Sequence, residues 1–227
     1  DVDGEDSTVD GSRSITTGDS NPGGNPGGVP NTIDVDDVRV YRDVTIVSGA
    51  GNDNITVEDT TIGEEVSPGV FAGGNLAING GNGSNVVKVD DVVLVGSSLA
   101  ITTGTDNDVV TVSNTTSHGP VTINTGGGSD TLLLLNNTFT NVAGTNTVAI
   151  NTGEGEGSVN VIGGAYNNLS INTGSADDHD NVNVAGLSYT GVIDIQTGGG
   201  NDNITFIIVA GDGVSDLSVD GGRGVAN

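Results

Sequence analysis

Valine, isoleucine and leucine alternate with polar residues in short runs along most of the chain, and the runs come in pairs separated by a glycine-rich turn. The stretch Ile195-Gln-Thr-Gly-Gly-Gly-Asn-Asp-Asn-Ile-Thr-Phe206 shows the unit. Alternation with a period of two sends every second side chain to one face, so each run predicts a strand with one buried side. Aligned on the apolar residue that begins Ile-x-Thr-Gly, copies start at Ile15, Ile46, Ile78, Ile101, Ile123, Ile150, Ile171, Ile195 and Val219. The shorter intervals cluster near 22–24 residues, the length of one bare coil, and the longer ones carry insertions.

The pattern predicts two inward columns. Ile46, Ile78, Ile101, Ile123, Ile150, Ile171 and Ile195 form the first, and Val57, Val89, Val112, Leu134, Val161, Val184 and Phe206 the second. A polar corner and one further apolar residue follow, as in Asn136-Asn-Thr-Phe139 and Gly163-Gly-Ala-Tyr166, which is enough for a third, shorter side. The expected fold is all-β: a single-domain parallel β-helix, or solenoid, over residues 1–227, three-sided, with about nine coils. The general preference of parallel crossovers makes it right-handed. One strand spacing per coil gives a rod on the order of 40 Å long. Insertions are expected at about 19–32, 60–75 and 138–147, where Gly, Pro and Asn accumulate.

Composition fits a thin rod. There are 39 Gly, no Trp and no Met, and aromatics make up 3%, too few large side chains for a thick core. Thirty acidic residues against five basic ones leave a net charge of −25. Nucleic acid is therefore excluded as a partner, since phosphate binding needs clustered Lys and Arg, and an anionic membrane surface is disfavoured for the same reason. No apolar run approaches the roughly 18–20 residues of a membrane span, so no membrane insertion is expected. The absence of Cys removes disulfides and thiolate metal sites. With no initiator Met and no signal-like start, the chain reads as a processed product or a piece of something longer.

One chemical motif recurs. The turns Gly49-Ala-Gly-Asn-Asp53, Gly104-Thr-Asp-Asn-Asp108, Gly126-Gly-Gly-Ser-Asp130, Gly174-Ser-Ala-Asp-Asp-His-Asp180 and Gly198-Gly-Gly-Asn-Asp202 each place an aspartate two residues before an inward residue. Asp53, Asp108, Asp130, Asp180 and Asp202 then fall in one column, and Asp36, two before Val38, extends it. Stacked carboxylates about 5 Å apart repel unless they are solvated, protonated, hydrogen-bonded or bridged by cations. Calcium takes six to eight oxygen ligands, and a glycine turn offers carbonyls beside each carboxylate.

Gly49-Ala-Gly-Asn-Asp-Asn-Ile-Thr and Gly198-Gly-Gly-Asn-Asp-Asn-Ile-Thr resemble the Gly-Gly-x-Gly-x-Asp-x-Ile-x nonapeptide of RTX (haemolysin-type) calcium-binding proteins, and Gly126–Leu132 is a third match. The resemblance covers about eight residues per coil. It implies calcium between coils, bound at the aspartate column, in a protein secreted by bacteria. The departures are specific: the nonapeptides do not run in tandem, Asn85 and Gly157 replace Asp, and Asp180 follows two extra residues. A ladder of Asp and Asn capping their own turns explains the same residues, so both readings stand. In style the chain is similar to repeat-built bacterial or archaeal surface proteins.

The remaining chemistry is sparse. His118 and His179 lie in polar loops without a nucleophile, although Asp177, Asp178, His179 and Asp180 offer transition-metal ligands. A polysaccharide lyase needs a basic residue beside its acids, and only Arg13, Arg39, Arg42, Lys88 and Arg223 exist. A hydrolase needs one distinctive carboxylate pair, not a repeating column. No enzyme is expected. The outward positions Thr45, Ala77, Ala100, Thr122, Ala149, Ser170 and Asp194 form part of a flat, small, mildly polar face able to meet another rod, a glycan or ice. Six Asn-x-Ser/Thr sequons, at Asn54, Asn82, Asn114, Asn136, Asn168 and Asn203, fit an extracellular surface. No amphipathic cap is visible at either end, and bare solenoid ends invite another chain to continue the ladder. The leading expectation is a secreted structural protein, the subunit of a filament, stalk or cell-surface layer built by head-to-tail stacking and stabilised by calcium. The alternative is an adhesin-type module binding glycan or ice.

Overall fold

The computed structural model describes residues 2–9, 11–17, 30–67, 70–207 and 216–222. Every regular element among them is a strand. Two large parallel sheets wind around a common interior, one of nine strands and one of fifteen. The nine-stranded sheet is the first side of the solenoid, running from Arg13–Thr16 to Leu217–Asp220. The fifteen-stranded sheet supplies the other two sides. They are joined through the nine-residue strand Thr32–Val40, which pairs with Asn54–Glu58 along one half and Thr61–Ile62 along the other. The second side has eight consecutive strands from Thr32–Val40 to Asn203–Ile207, and Val2–Val9 pairs in parallel with Thr32–Val40 ahead of them. The solenoid therefore makes about eight turns where nine were expected: the ninth first-side copy, Leu217–Asp220, is not followed by a second-side strand among the described residues.

The alternation fixes the register. Ile15, Ile46, Ile78, Ile101, Ile123, Ile150, Ile171, Ile195 and Val219 are successive partners on the first side. Val35, Val57, Val89, Val112, Leu134, Val161, Val184 and Phe206 are successive partners on the second. From Ile46 to Ile195 and from Val57 to Val184 these residues are buried, while Phe206 is half-buried. A slip of one residue would expose a whole column, so burial specifies the pairing. Each apolar side chain shields those in the coils above and below, at about 1.5–3 kcal/mol for each one fully buried.

The third side is short and holds the bulk. Val40, Ile62, Leu94, Ser117, Phe139, Tyr166 and Tyr189 stack in register. Phe139 and Tyr166 meet edge to face at 5.8 Å. Ser117 enters this column because its hydroxyl donates to the Ser97 carbonyl at 2.9 Å. The corner before this side is left-handed backbone at Asp37, Asp59, Asp91, Asn114 and Asn136, with φ between 47° and 54°, and then at Gly163 and Gly186. Asn, Asp and Gly are the residues that tolerate that region.

Two insertions are narrower than the sequence implied. Thr61–Ile62 and Thr138–Phe139 belong to the third side, with Ile62 and Phe139 fully buried, and Thr147 already begins the next strand. The excursions are therefore 63–75, which carries the antiparallel hairpin Glu64–Ser67 with Val70–Ala72, and 140–146. The expected excursion at 19–32 lies outside the described residues up to position 29.

Candidate functional site

The aspartate turns close the corner between the first and second sides. Each begins with the Thr or Ser of Ile-x-Thr-Gly and ends on the aspartate just before the second strand, and both side chains turn into the neck of the coil. Ser48, Thr103, Thr125, Thr152, Thr173 and Thr197 are buried on one side of the neck. Asp53, Asn85, Asp108, Asp130 and Asp180 are 1–2% exposed on the other. Glycine is required where turns of adjacent coils touch: Gly126 has φ 93°, and a Cβ there would lie 1.6 Å from the Gly104 carbonyl oxygen.

The carboxylates form a ladder that runs along the rod. Oδ1 of each accepts the backbone amide of the equivalent residue one coil earlier. Asn31 donates to Asp53 at 2.8 Å, Asp53 to Asn85 at 3.0 Å, Asn85 to Asp108 at 2.7 Å and Asp108 to Asp130 at 2.9 Å. Beyond Gly157, the Gly157 amide donates to Asp180 at 2.7 Å and the Asp180 amide to Asp202 at 3.0 Å. The second oxygen accepts a hydroxyl across the neck: Thr125 to Asp130 at 2.5 Å, Thr173 to Asp180 at 2.5 Å and Thr197 to Asp202 at 2.7 Å. Charge-assisted bonds of this kind are the strong ones. Oδ2 of Asp53 and of Asp108 is buried without a hydrogen-bond partner.

The exceptions obey the same chemistry. Where Gly80 replaces the Thr, Asn85 replaces the Asp and donates its own amide to the carbonyls of Gly81 and Gly83 at 3.1 and 2.7 Å. Where Gly157 replaces the Asp, the Thr152 hydroxyl is left buried without a partner. Asp36 is not in the column. It sits opposite Glu58, and Asn31 holds the position beside Asp53. The inward residue equivalent to Ile55 is Ile33, not Val38, because a left-handed residue at Asp37 shifts the alternation between the two sides of one long strand.

Burial dominates the electrostatics. It pushes the Asp108, Asp130 and Asp180 carboxyls above their ordinary value, against the amide bonds that each accepts and the hydroxyl bonds of Asp130 and Asp180, which favour the charged form. Asp180 is pushed up to about 6, with Asp178 and Asp202 adding their repulsion. Asp36 is also raised, by desolvation first and then by Glu58, Asp59 and Asp37.

Among the described residues, one group of carboxylates converges closely enough to share an ion: oxygens of Asp178, Asp180 and Asp202 lie within 4.8 Å of one another. Asp178 was not in the expected ligand column. It sits two residues earlier, where its Oδ2 accepts the Gly155 amide at 2.9 Å, as Oδ2 of Asp106 accepts the Gly83 amide at 3.1 Å. Asp108 and Asp130 are neighbours on the ladder, Asp53 is separated from Asp108 by Asn85, and none of these three joins that group. His179 is exposed and outside it, and His118 approaches the Leu94 carbonyl with Nδ1 at 3.4 Å. The outer set was readable only as the run Asp177–Asp180, in which two of four residues face the neighbouring coil. Comparison of the chain with known families, curated proteins and solved structures finds no match.

Proposed function

We propose that this chain is a structural β-solenoid of an extracellular filament, stalk or surface layer, in which the open edge of one rod is continued by a coil of another copy. The supporting observation is at the last described coil. Leu217 and Val219 are in register with the fully buried Ile193 and Ile195, yet are 47% and 45% exposed. Among the described residues no strand pairs with the outer edge of Leu217–Asp220, and a half-exposed inward column beside such an edge is a template for further parallel pairing. Such a contact is heterologous and open, the geometry that yields fibres. The abundance of polar, acidic outward positions fits an exposed surface. Negative-stain microscopy of the full chain at high concentration should show end-to-end rods, and monomers alone would reject the reading.

Calcium has a place in this proposal at Asp178, Asp180 and Asp202, the one group among the described residues in which three carboxylates converge. Calorimetry with calcium chloride and then with chelator tests it. Loss of the calcium-dependent rise in Tm in Asp178→Asn is the expected result, and a Tm indifferent to chelation rejects the clamp.

The second reading is an adhesin-type module using the first side's outer face. Its support is the in-register row Thr45, Ala77, Ala100, Thr122, Ala149 and Ser170, flat and small over six coils. An ice-recrystallisation assay with Thr122→Lys as control addresses it.

A further inference from the structure

Away from the turn ladder, the structure holds a cleft of about 330 Å³ lined by Tyr41, Arg42, Glu64, Ala72 and Gly73. It lies at the corner between the third and first sides, where the hairpin insertion of one coil leans over the corner of the coil before. The walls are held firmly. Gly74 packs so closely on Arg42 that a Cβ there would lie 2.0 Å from the Arg42 carbonyl oxygen. Asn75 is tied to Asp43, whose Oδ1 accepts its backbone amide at 2.8 Å and its side-chain amide at 3.0 Å. The Gly63 amide donates to the Val40 carbonyl at 2.8 Å at the hairpin's entry. Glu64 and Ala72 are cross-strand partners, so both strands of the hairpin contribute to the lining.

The lining is unlike the rest of the surface. Two of the five basic residues, Arg39 and Arg42, fall within four positions of each other here, in a chain of net charge −25. The Arg39 guanidinium lies over the Tyr41 ring, 5.5 Å from its centroid, which holds the ring in place. Arg42 and Glu64 share the cleft, yet neither side chain has an ion-pair or hydrogen-bond partner among the described residues. A free anion would meet Glu64 and a free cation would meet Arg42. A polyol suits both: the guanidinium donates, the carboxylate accepts, and an aromatic ring offers an apolar face.

We propose that this cleft binds a neutral saccharide unit, with Arg42 and Glu64 holding hydroxyls and the Tyr41 ring packing on the sugar. The volume suits one or two sugar rings at the low end of small-ligand sites, which run from about 300 Å³. The cleft is separate from the flat first-side face, and its occupancy does not depend on edge assembly.

The test is saturation-transfer NMR and titration calorimetry of the full chain with neutral trisaccharides (maltotriose, mannotriose and tri-N-acetylglucosamine), and with trigalacturonate as the acidic arm. At least one neutral probe should bind, and both Tyr41→Ala and Arg42→Gln should weaken it about tenfold, the loss expected when a hydrogen bond to a charged group or a ring contact is removed. Thr122→Lys, on the flat face, should leave binding unchanged. Arg42 is exposed, so its variant should keep the parent Tm even where Tyr41→Ala does not. No binding by any neutral probe, binding confined to trigalacturonate, or binding that survives Arg42→Gln at an unchanged Tm would each overturn the proposal. None of these outcomes bears on whether rods join at their edges.

Discussion

The middle and the last described coil carry the same pattern in different surroundings. Ile123 and Leu134, in mid-rod, are fully buried, while Leu217 and Val219, in the same inward register, stand about half open. Ile204 and Phe206, on the last described strand of the second side, are only partly buried. The difference shows that no coil of this fold owns its core. Each interior side chain is covered by the coils above and below, so the apolar pattern becomes a core only by stacking. Where stacking stops, the same residues become a surface that a further coil would cover.

Truncation of an inward residue to alanine in mid-rod and at the edge should have the most unequal effects. Ile123→Ala should cost about 2–5 kcal/mol in denaturant unfolding, the usual loss for a buried large-to-small change. Val219→Ala, already half exposed, should cost under about 1 kcal/mol in the monomer. Equal costs would mean that the edge is packed as tightly as the middle. The turn ladder comes next. Asp130→Ala leaves the Asp108 amide and the Thr125 hydroxyl without their acceptor, at about 1–3 kcal/mol. Asp130→Asn should cost clearly less, because Asn85 already holds the equivalent position.

A smaller effect is expected with pH. Asp180 has its carboxyl raised to about 6 in the folded chain, against an ordinary value near 4. The folded state then binds the proton more tightly than the unfolded state. This contribution to stability is full below the unfolded value and is lost as pH rises through about 6. Tm should therefore fall between about pH 4 and 6, and Asp180→Asn should flatten part of that slope. A slope identical in the variant would mean that Asp180 is not responsible. Smallest of all, Asp36→Asn should change stability by less than about 0.5 kcal/mol, since Asp36 is off the ladder. A loss as large as that from Asp130→Ala would contradict the register described above.

Much of this architecture was legible because period-two alternation and burial demand one another. The columns Ile46–Ile195 and Val57–Val184 could be written down from the sequence, as could the Asp53–Asp202 column, which is tied to them by spacing. Asp36 misled because Thr32–Val40 offers two frames in which an aspartate stands two residues before a valine. Only the left-handed backbone at Asp37 decides between them, and an aspartate gives no outward sign of its φ. The insertions were drawn too wide because a two-residue strand such as Thr61–Ile62 is too short to show periodicity. The saccharide cleft was not legible at all. Its wall comes from two corners, 41–43 and 63–75, that become neighbours only when one coil stacks on the next.

The central claim is that the exposed edge joins copies. Sedimentation velocity over a wide range of protein concentration, on the parent chain and on Val219→Lys, tests it most directly. A charge placed in the inward column should block addition of a further coil while sparing the mid-rod core. Species that grow with concentration are expected in the parent, and a single monomer boundary in the variant. A parent that stays monomeric throughout, or a variant that assembles equally well, would contradict it.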